Sequence, residues 1–176
     1  HTTDLHGALT GWDYLADRPA PRGLTRVATL VQRVRAEGAP LLLLDAGDAI
    51  QGSPLEMVWR RGFSQGGEPM MTAMTRMGYD AMAVGNHEFS FGPGALARAR
   101  ADAGFPWLAA NIVRASDGAP AFAPSIVKTV GALRVGVVGL CTPAVPSLED
   151  SANVAGLRRL PALEAARGEV ERLRSH

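Results

Sequence analysis

The sequence has 176 residues, 47% hydrophobic and 20% charged, which suits one globular domain with a substantial core and excludes a disordered chain. A formal net charge of +1, with Lys and Arg spread along helical faces, provides no field for a nucleic-acid polymer. The single cysteine, Cys141, excludes an internal disulfide and reads as a small buried hydrophobe, and no apolar run is long enough to span a bilayer.

The first strand is expected to end at Leu5, because Gly7 and Gly11 open a loop that runs to Pro19 and Pro21. Leu24, Val27, Ala28, Leu30, Val31 and Val34 then recur at helical spacing and predict an amphipathic helix, stopped by Gly38-Ala39-Pro40. Residues 41–44 form a continuous apolar run, expected as a central strand covered on both faces, and residues 45–53 a glycine-containing loop. Pro54 suits the first turn of a short helix through Arg60. A linker over 63–67 and a helix over 68–77 follow; the row Met70, Met71, Met74 and Met77 reads as core packing, and Gly78 ends the helix. The run 79–84 is a strand leading into Gly85-Asn86-His87, and 93–103 a helix closed by Gly104. A short strand over 105–110, an apolar hairpin over 126–140, breaks at Pro143 and Pro146 and a last helix over 161–173 complete an α/β layered domain.

Ligand-type side chains sit at three of these strand ends. In Asp4-Leu5-His6 the carboxylate and imidazole are two apart, which on extended backbone points both the same way, towards one ion. That pairing suits a first-row divalent metal such as zinc or manganese better than calcium. Asp48, after Gly47, has two oxygens and is the natural bridge between two ions, while Asn86 offers a neutral oxygen to the second. His87 adds a nitrogen able to accept or donate a proton. A two-metal site of this kind polarises a phosphoryl group and points to phosphoester hydrolysis.

Asp4-x-His6, Gly47-Asp48 and Gly85-Asn86-His87-Glu88, in that order and at these separations, resemble the first three motifs of the calcineurin-like metallophosphoesterases. Within that superfamily the chain is similar to the 5′-nucleotidase family, more closely to its bacterial 2′,3′-cyclic-nucleotide 2′-phosphodiesterase/3′-nucleotidase branch. The added likeness lies in Thr2-Thr3-Asp4-Leu5-His6, Trp12-Asp13-Tyr14, Gly23-Leu24-Thr25-Arg26, Asp48 through Pro54, and Asn111-Ile112-Val113. The resemblance implies an α-β-β-α sandwich, present as its amino-terminal portion, and a small-molecule nucleotide or phosphoester substrate. It implies two divalent ions (zinc, manganese or similar) in the complete enzyme, and a periplasmic or extracellular location, with no leader segment in the sequence itself. It assigns Asp4 and His6 to one metal, Asp48 to the bridge and Asn86 to the other, with His87 stabilising the phosphate and protonating the leaving oxygen. Glu88 becomes a structural hydrogen-bonding partner, and Asp45 a support for its loop rather than a ligand.

Two departures stand out. The family often has an aspartate three residues after the catalytic histidine to orient the ring; this sequence has Ser90. The family's later histidines, including a Gly-His-x-His motif, are absent, since the histidines are His1, His6, His87 and His176. The expectation is therefore an amino-terminal part of a longer catalytic domain, without the carboxyl-terminal nucleotide-binding domain. The rival readings are a 5′-nucleotidase, nucleotide-sugar hydrolase or thiosulfohydrolase of the same fold, and an inactive fragment or non-catalytic binding module.

Overall fold

The computed structural model describes residues 1–62 and 66–175, so most of the linker expected over 63–67 lies outside the described residues. The chain enters without a regular strand. Thr2 makes a parallel bridge to Asp45, and backbone bonds from Asp4 N to Gly47 O and His6 N to Asp48 O carry the pairing forward. The expectation of extended backbone here is overturned: φ is 53° at Asp4 and 47° at His6, in the left-handed region. Their amides follow carbonyls of a loop that is itself turning, with φ of 101° at Gly47 and 60° at Asp48, so the two segments coil together.

The expected loop over 7–21 contains an unanticipated hairpin, β1 (Trp12–Asp13) with β2 (Arg18–Pro19), whose turn is held by Asp13 Oδ1 accepting from Leu15 N and Ala16 N. Helix α1 (Leu24–Ala36) buries Leu24 and Val31, but Leu30 and Val34 on its expected apolar stripe are exposed. The run at 41–44 joins the sheet only at its end, as β3 (Leu44–Asp45), because Leu43 N is bound instead by the Asp80 carboxylate. Helix α2 (Pro54–Arg60) starts at its proline as expected. Helix α3 (Pro69–Met77) is capped by the Glu68 carboxylate, which accepts from Met70 N and Met71 N, and ends at Gly78 with φ 69°. Met70, Met71 and Met74 are fully buried, which bears out the reading of that row as core.

Strand β4 (Ala81–Ala83) lies between β3 and β5 (Trp107–Leu108) in a parallel sheet, and a 3-10 turn, His87–Phe89, leads into α4 (Gly92–Asp102). Strand β6 (Ile112–Arg114) precedes the expected antiparallel hairpin, β7 (Ser125–Val130) with β8 (Leu133–Val138). A short helix, α5 (Val145–Leu148), follows the proline breaks; β9 (Leu157–Arg159) returns to pair with β6, and α6 (Ala162–Arg174) packs on β8. Helices α1 to α4 share one apolar core with the parallel sheet, built around Leu24, Trp59, Met74, Met82, Phe89 and Trp107. The chain is a layered α/β domain with helices against its sheets, the arrangement expected from the sequence.

Candidate active site

Adjacent parallel strands β3 and β4 end at the same edge of their sheet, so the loops that follow them meet there. In parallel α/β sheets this carboxyl edge is where ligands bind. The approach of the two loops is very close. A Cβ on Gly47 would lie 2.6 Å from Gly85 N, and one on Gly85 would lie 2.2 Å from Asp48 Oδ1. Gly47 also carries φ 101°, which a side chain at that position would resist.

Glu88 locks this junction. Its buried carboxyl accepts from Asp48 N at 3.0 Å, Ala49 N at 2.8 Å and Gly85 N at 2.7 Å, joining both loops through one side chain. Burial pushes its pKa up to about 7, against the pull of those three N–H donors. Asp45 does comparable work one loop earlier: Oδ2 accepts from Thr2 Oγ1 at 2.6 Å and Oδ1 from Gly47 N at 2.8 Å. Burial raises its pKa to about 6. Its oxygens are thus spent on holding the loop, in keeping with its expected supporting part.

Ligand atoms of His6, Asp48 and His87 lie within 4.8 Å of one another. The His6 and His87 rings meet edge to face at 5.1 Å, and Asp48 Oδ1 accepts from His87 N at 2.9 Å. His6 Nδ1 is 2.9 Å from the Gln51 carbonyl oxygen, which fixes the ring as an Nδ1–H donor and leaves Nε2 free as a ligand, 3.8 Å from Asp4 Oδ1. Among the described residues, the non-glycine positions with positive φ are Asp4, His6, Asp17 and Asp48. Three of these carry expected ligands, and strained backbone of this sort persists where its surroundings enforce it, commonly at functional sites. Two imidazoles and one carboxylate at these separations fit a divalent transition-metal ion, with the Asp4 carboxylate beside His6.

Asn86 sits beside this cluster with its amide tied elsewhere: Nδ2 donates to Glu149 Oε1 at 3.1 Å. The same oxygen accepts from Ser90 Oγ at 3.1 Å, while Ser90 Oγ is 3.2 Å from His87 Nδ1. The sequence reading missed Glu149, which follows α5 in a stretch with no recognisable pattern. The segment bearing it is anchored by fully buried Asn111, whose side chain accepts from Cys141 N at 2.9 Å and donates to Cys141 O at 2.8 Å. Cys141 Sγ in turn reaches Gly85 O at 3.8 Å, and burial pushes its thiol up to about 12, consistent with the packing part expected of it. Asn153 Nδ2 adds a bond to Ser90 O at 3.0 Å. Beside Asp4 and His6 opens a cleft of about 510 Å³, lined also by Trp12, Tyr14 and Arg22. That volume accommodates a small organic ligand.

The chain matches the calcineurin-like phosphoesterase family model over residues 1–150. It is 36% identical over 167 residues to a 2′,3′-cyclic-nucleotide 2′-phosphodiesterase/3′-nucleotidase of Haemophilus influenzae, covering 88% of this chain and 25% of the relative. It is 36% identical over 191 aligned positions to a snake venom 5′-nucleotidase of Gloydius brevicauda, covering 100% of this chain and 29% of that protein. The chain thus spans about a quarter of the length of these relatives. Its fold superposes on the calcineurin-like phosphoesterase YfkN from Bacillus subtilis with a TM-score of 0.85 at 29% identity, over 98% of this chain and 56% of that one. With its motifs on converging sheet-edge loops and the family model spanning most of its length, the chain belongs to the calcineurin-like phosphoesterase family.

Proposed function

We propose that this chain is the amino-terminal part of a longer enzyme that hydrolyses nucleotide phosphoesters, of the 2′,3′-cyclic-nucleotide 2′-phosphodiesterase/3′-nucleotidase kind. The convergence of His6, Asp48 and His87 at one sheet edge carries the reading. Asp4 and His6 would hold one divalent ion and Asn86 a second, with Asp48 shared between them. When bound, such ions draw electron density from a phosphoryl group and make water more acidic. His87, steadied at Nδ1 by Ser90, keeps Nε2 open to take up a proton and, once protonated there as well, to hand it to the departing sugar oxygen. Glu88 and Asp45 touch no substrate in this scheme; they hold the turns that carry Asp48 and Asn86. Further ligands would come from the remainder of the longer protein, a view supported by the short share of its relatives that this chain covers. A small-molecule nucleotide as substrate and a periplasmic or extracellular setting belong to the same proposal.

A 5′-nucleotidase is the second reading, favoured by the snake venom relative, which matches along the whole chain. Phosphate release by the full-length protein, loaded with manganese, separates the two. The proposal expects turnover of 2′,3′-cyclic AMP and 3′-AMP; turnover of 5′-AMP alone would select the second reading, and no release from any phosphoester would contradict both.

A further inference from the structure

Glu149 lies about sixty residues from the motif it touches, in a segment none of the three motifs includes. Its side chain is only 5% exposed, whereas that of His87 is 32% exposed. One oxygen, Oε1, is the meeting point of three groups: it accepts from Asn86 Nδ2 and from Ser90 Oγ, and it lies 3.9 Å from His87 Nδ1. A carboxylate only accepts hydrogen bonds. Asn86 must therefore turn its NH₂ towards Glu149, and its carbonyl oxygen is the end left for a cation. Ser90, donating to Glu149, must accept at Oγ, so His87 carries its proton on Nδ1 and presents Nε2 away from this chain of bonds. A single buried oxygen thereby sets the amide flip of one residue and the tautomer of the next.

We propose that Glu149 is the positioning residue of this site, orienting Asn86 as a metal ligand directly and His87 through Ser90. The carboxylate that the motif lacks at position 90 is supplied from a different part of the chain. Anchoring supports the assignment: Cys141 with Gly85 and Asn153 with Ser90 fasten the 141–153 segment, on both sides of Glu149, to the loop it serves, and Asn111 pins Cys141 in the core. The part assigned to Asn86 rests on the functional reading above; the tautomer of His87 does not.

The test compares Glu149→Ala and Glu149→Gln with the wild type in the full-length protein. Calorimetry with manganese alone is expected to show affinity about 10–100-fold weaker in Glu149→Ala, the usual cost of losing a group that orients a ligand. Glu149→Gln keeps an acceptor oxygen and is expected to recover most of that loss. Turnover should fall in kcat far more than it changes in KM. Nitrogen-15 spectra of selectively labelled histidine read the ring directly, without metal or substrate. They should report His87 as the Nδ1–H tautomer in the wild type and as a mixture in Glu149→Ala. Unchanged His87 spectra together with wild-type manganese affinity in a folded Glu149→Ala protein would overturn the proposal. A wild-type ring fixed as Nδ1–H in a protein that hydrolyses no phosphoester would leave the positioning intact and defeat the proposed function instead.

Discussion

Asp48 reaches the centre of the site because residue 85 has no side chain: a Cβ on Gly85 would sit 2.2 Å from Asp48 Oδ1 and 2.6 Å from Asp48 N. The obstruction is partly backbone, so a rotamer change cannot relieve it. Gly85→Ala is expected to destabilise the fold by about 1–3 kcal/mol, the range for overpacking a tight contact, and to displace Asp48. Urea unfolding measures the first effect and manganese binding the second. A variant with wild-type values of both would show that the loops have slack.

His87 lies in the same cluster as the ligands, yet the proposal gives it a proton-transfer part. His87→Ala should lower kcat by roughly 10²–10⁴-fold, the range for removing a general acid. Manganese affinity should stay within about twofold of wild type, far from the loss expected for a missing ligand. A large drop in affinity would move His87 into the coordination shell.

Two carboxyls, Glu56 and Glu68, are buried together between α2 and α3. Among the described residues the oxygens of Glu56 have no hydrogen-bond partner of normal geometry, and burial first and the neighbouring Glu68 second raise its pKa strongly. A carboxyl with a raised folded pKa keeps a proton that the unfolded chain has lost above the ordinary value of 4.5, so folding stability falls as the pH rises from there through neutrality. Glu56→Gln abolishes that ionisation. Thermal unfolding between pH 5 and 8 should show the wild type losing stability and Glu56→Gln losing less; parallel curves would mean that Glu56 releases no proton on folding's reversal over that range.

Asn111 satisfies both backbone groups of Cys141 from within the core. Replacing it with alanine leaves that donor and acceptor buried without partners, at about 1–3 kcal/mol for each group. Asn111→Ala should therefore be destabilised and should also show faster amide exchange at Cys141. Protection equal to that of the wild type would indicate that another group takes over.

What the sequence revealed follows the strength of its local signals. The methionine row and Gly78 defined α3 because helical period and a left-handed cap are both written in residue types. Two apolar runs meeting at Gly131-Ala132 foretold the β7–β8 hairpin. The β1–β2 hairpin and β9 were missed because elements of two or three residues carry no readable period. Asp4 and His6 lie side by side, but spacing implied a shared strand face, whereas paired left-handed turns join them. Glu149 was invisible because its partners lie 59 and 63 residues away, and only packing of the segment after β8 closes that distance.

The central claim concerns which atoms surround the cations. A crystal of the full-length protein soaked in manganese, with anomalous differences recorded at the manganese edge, measures that directly. The account predicts two peaks, one flanked by Asp4 and His6 and one by Asn86, with Asp48 between them, at bond lengths of about 2.0–2.3 Å. Peaks elsewhere, or none beside these four side chains, would contradict it.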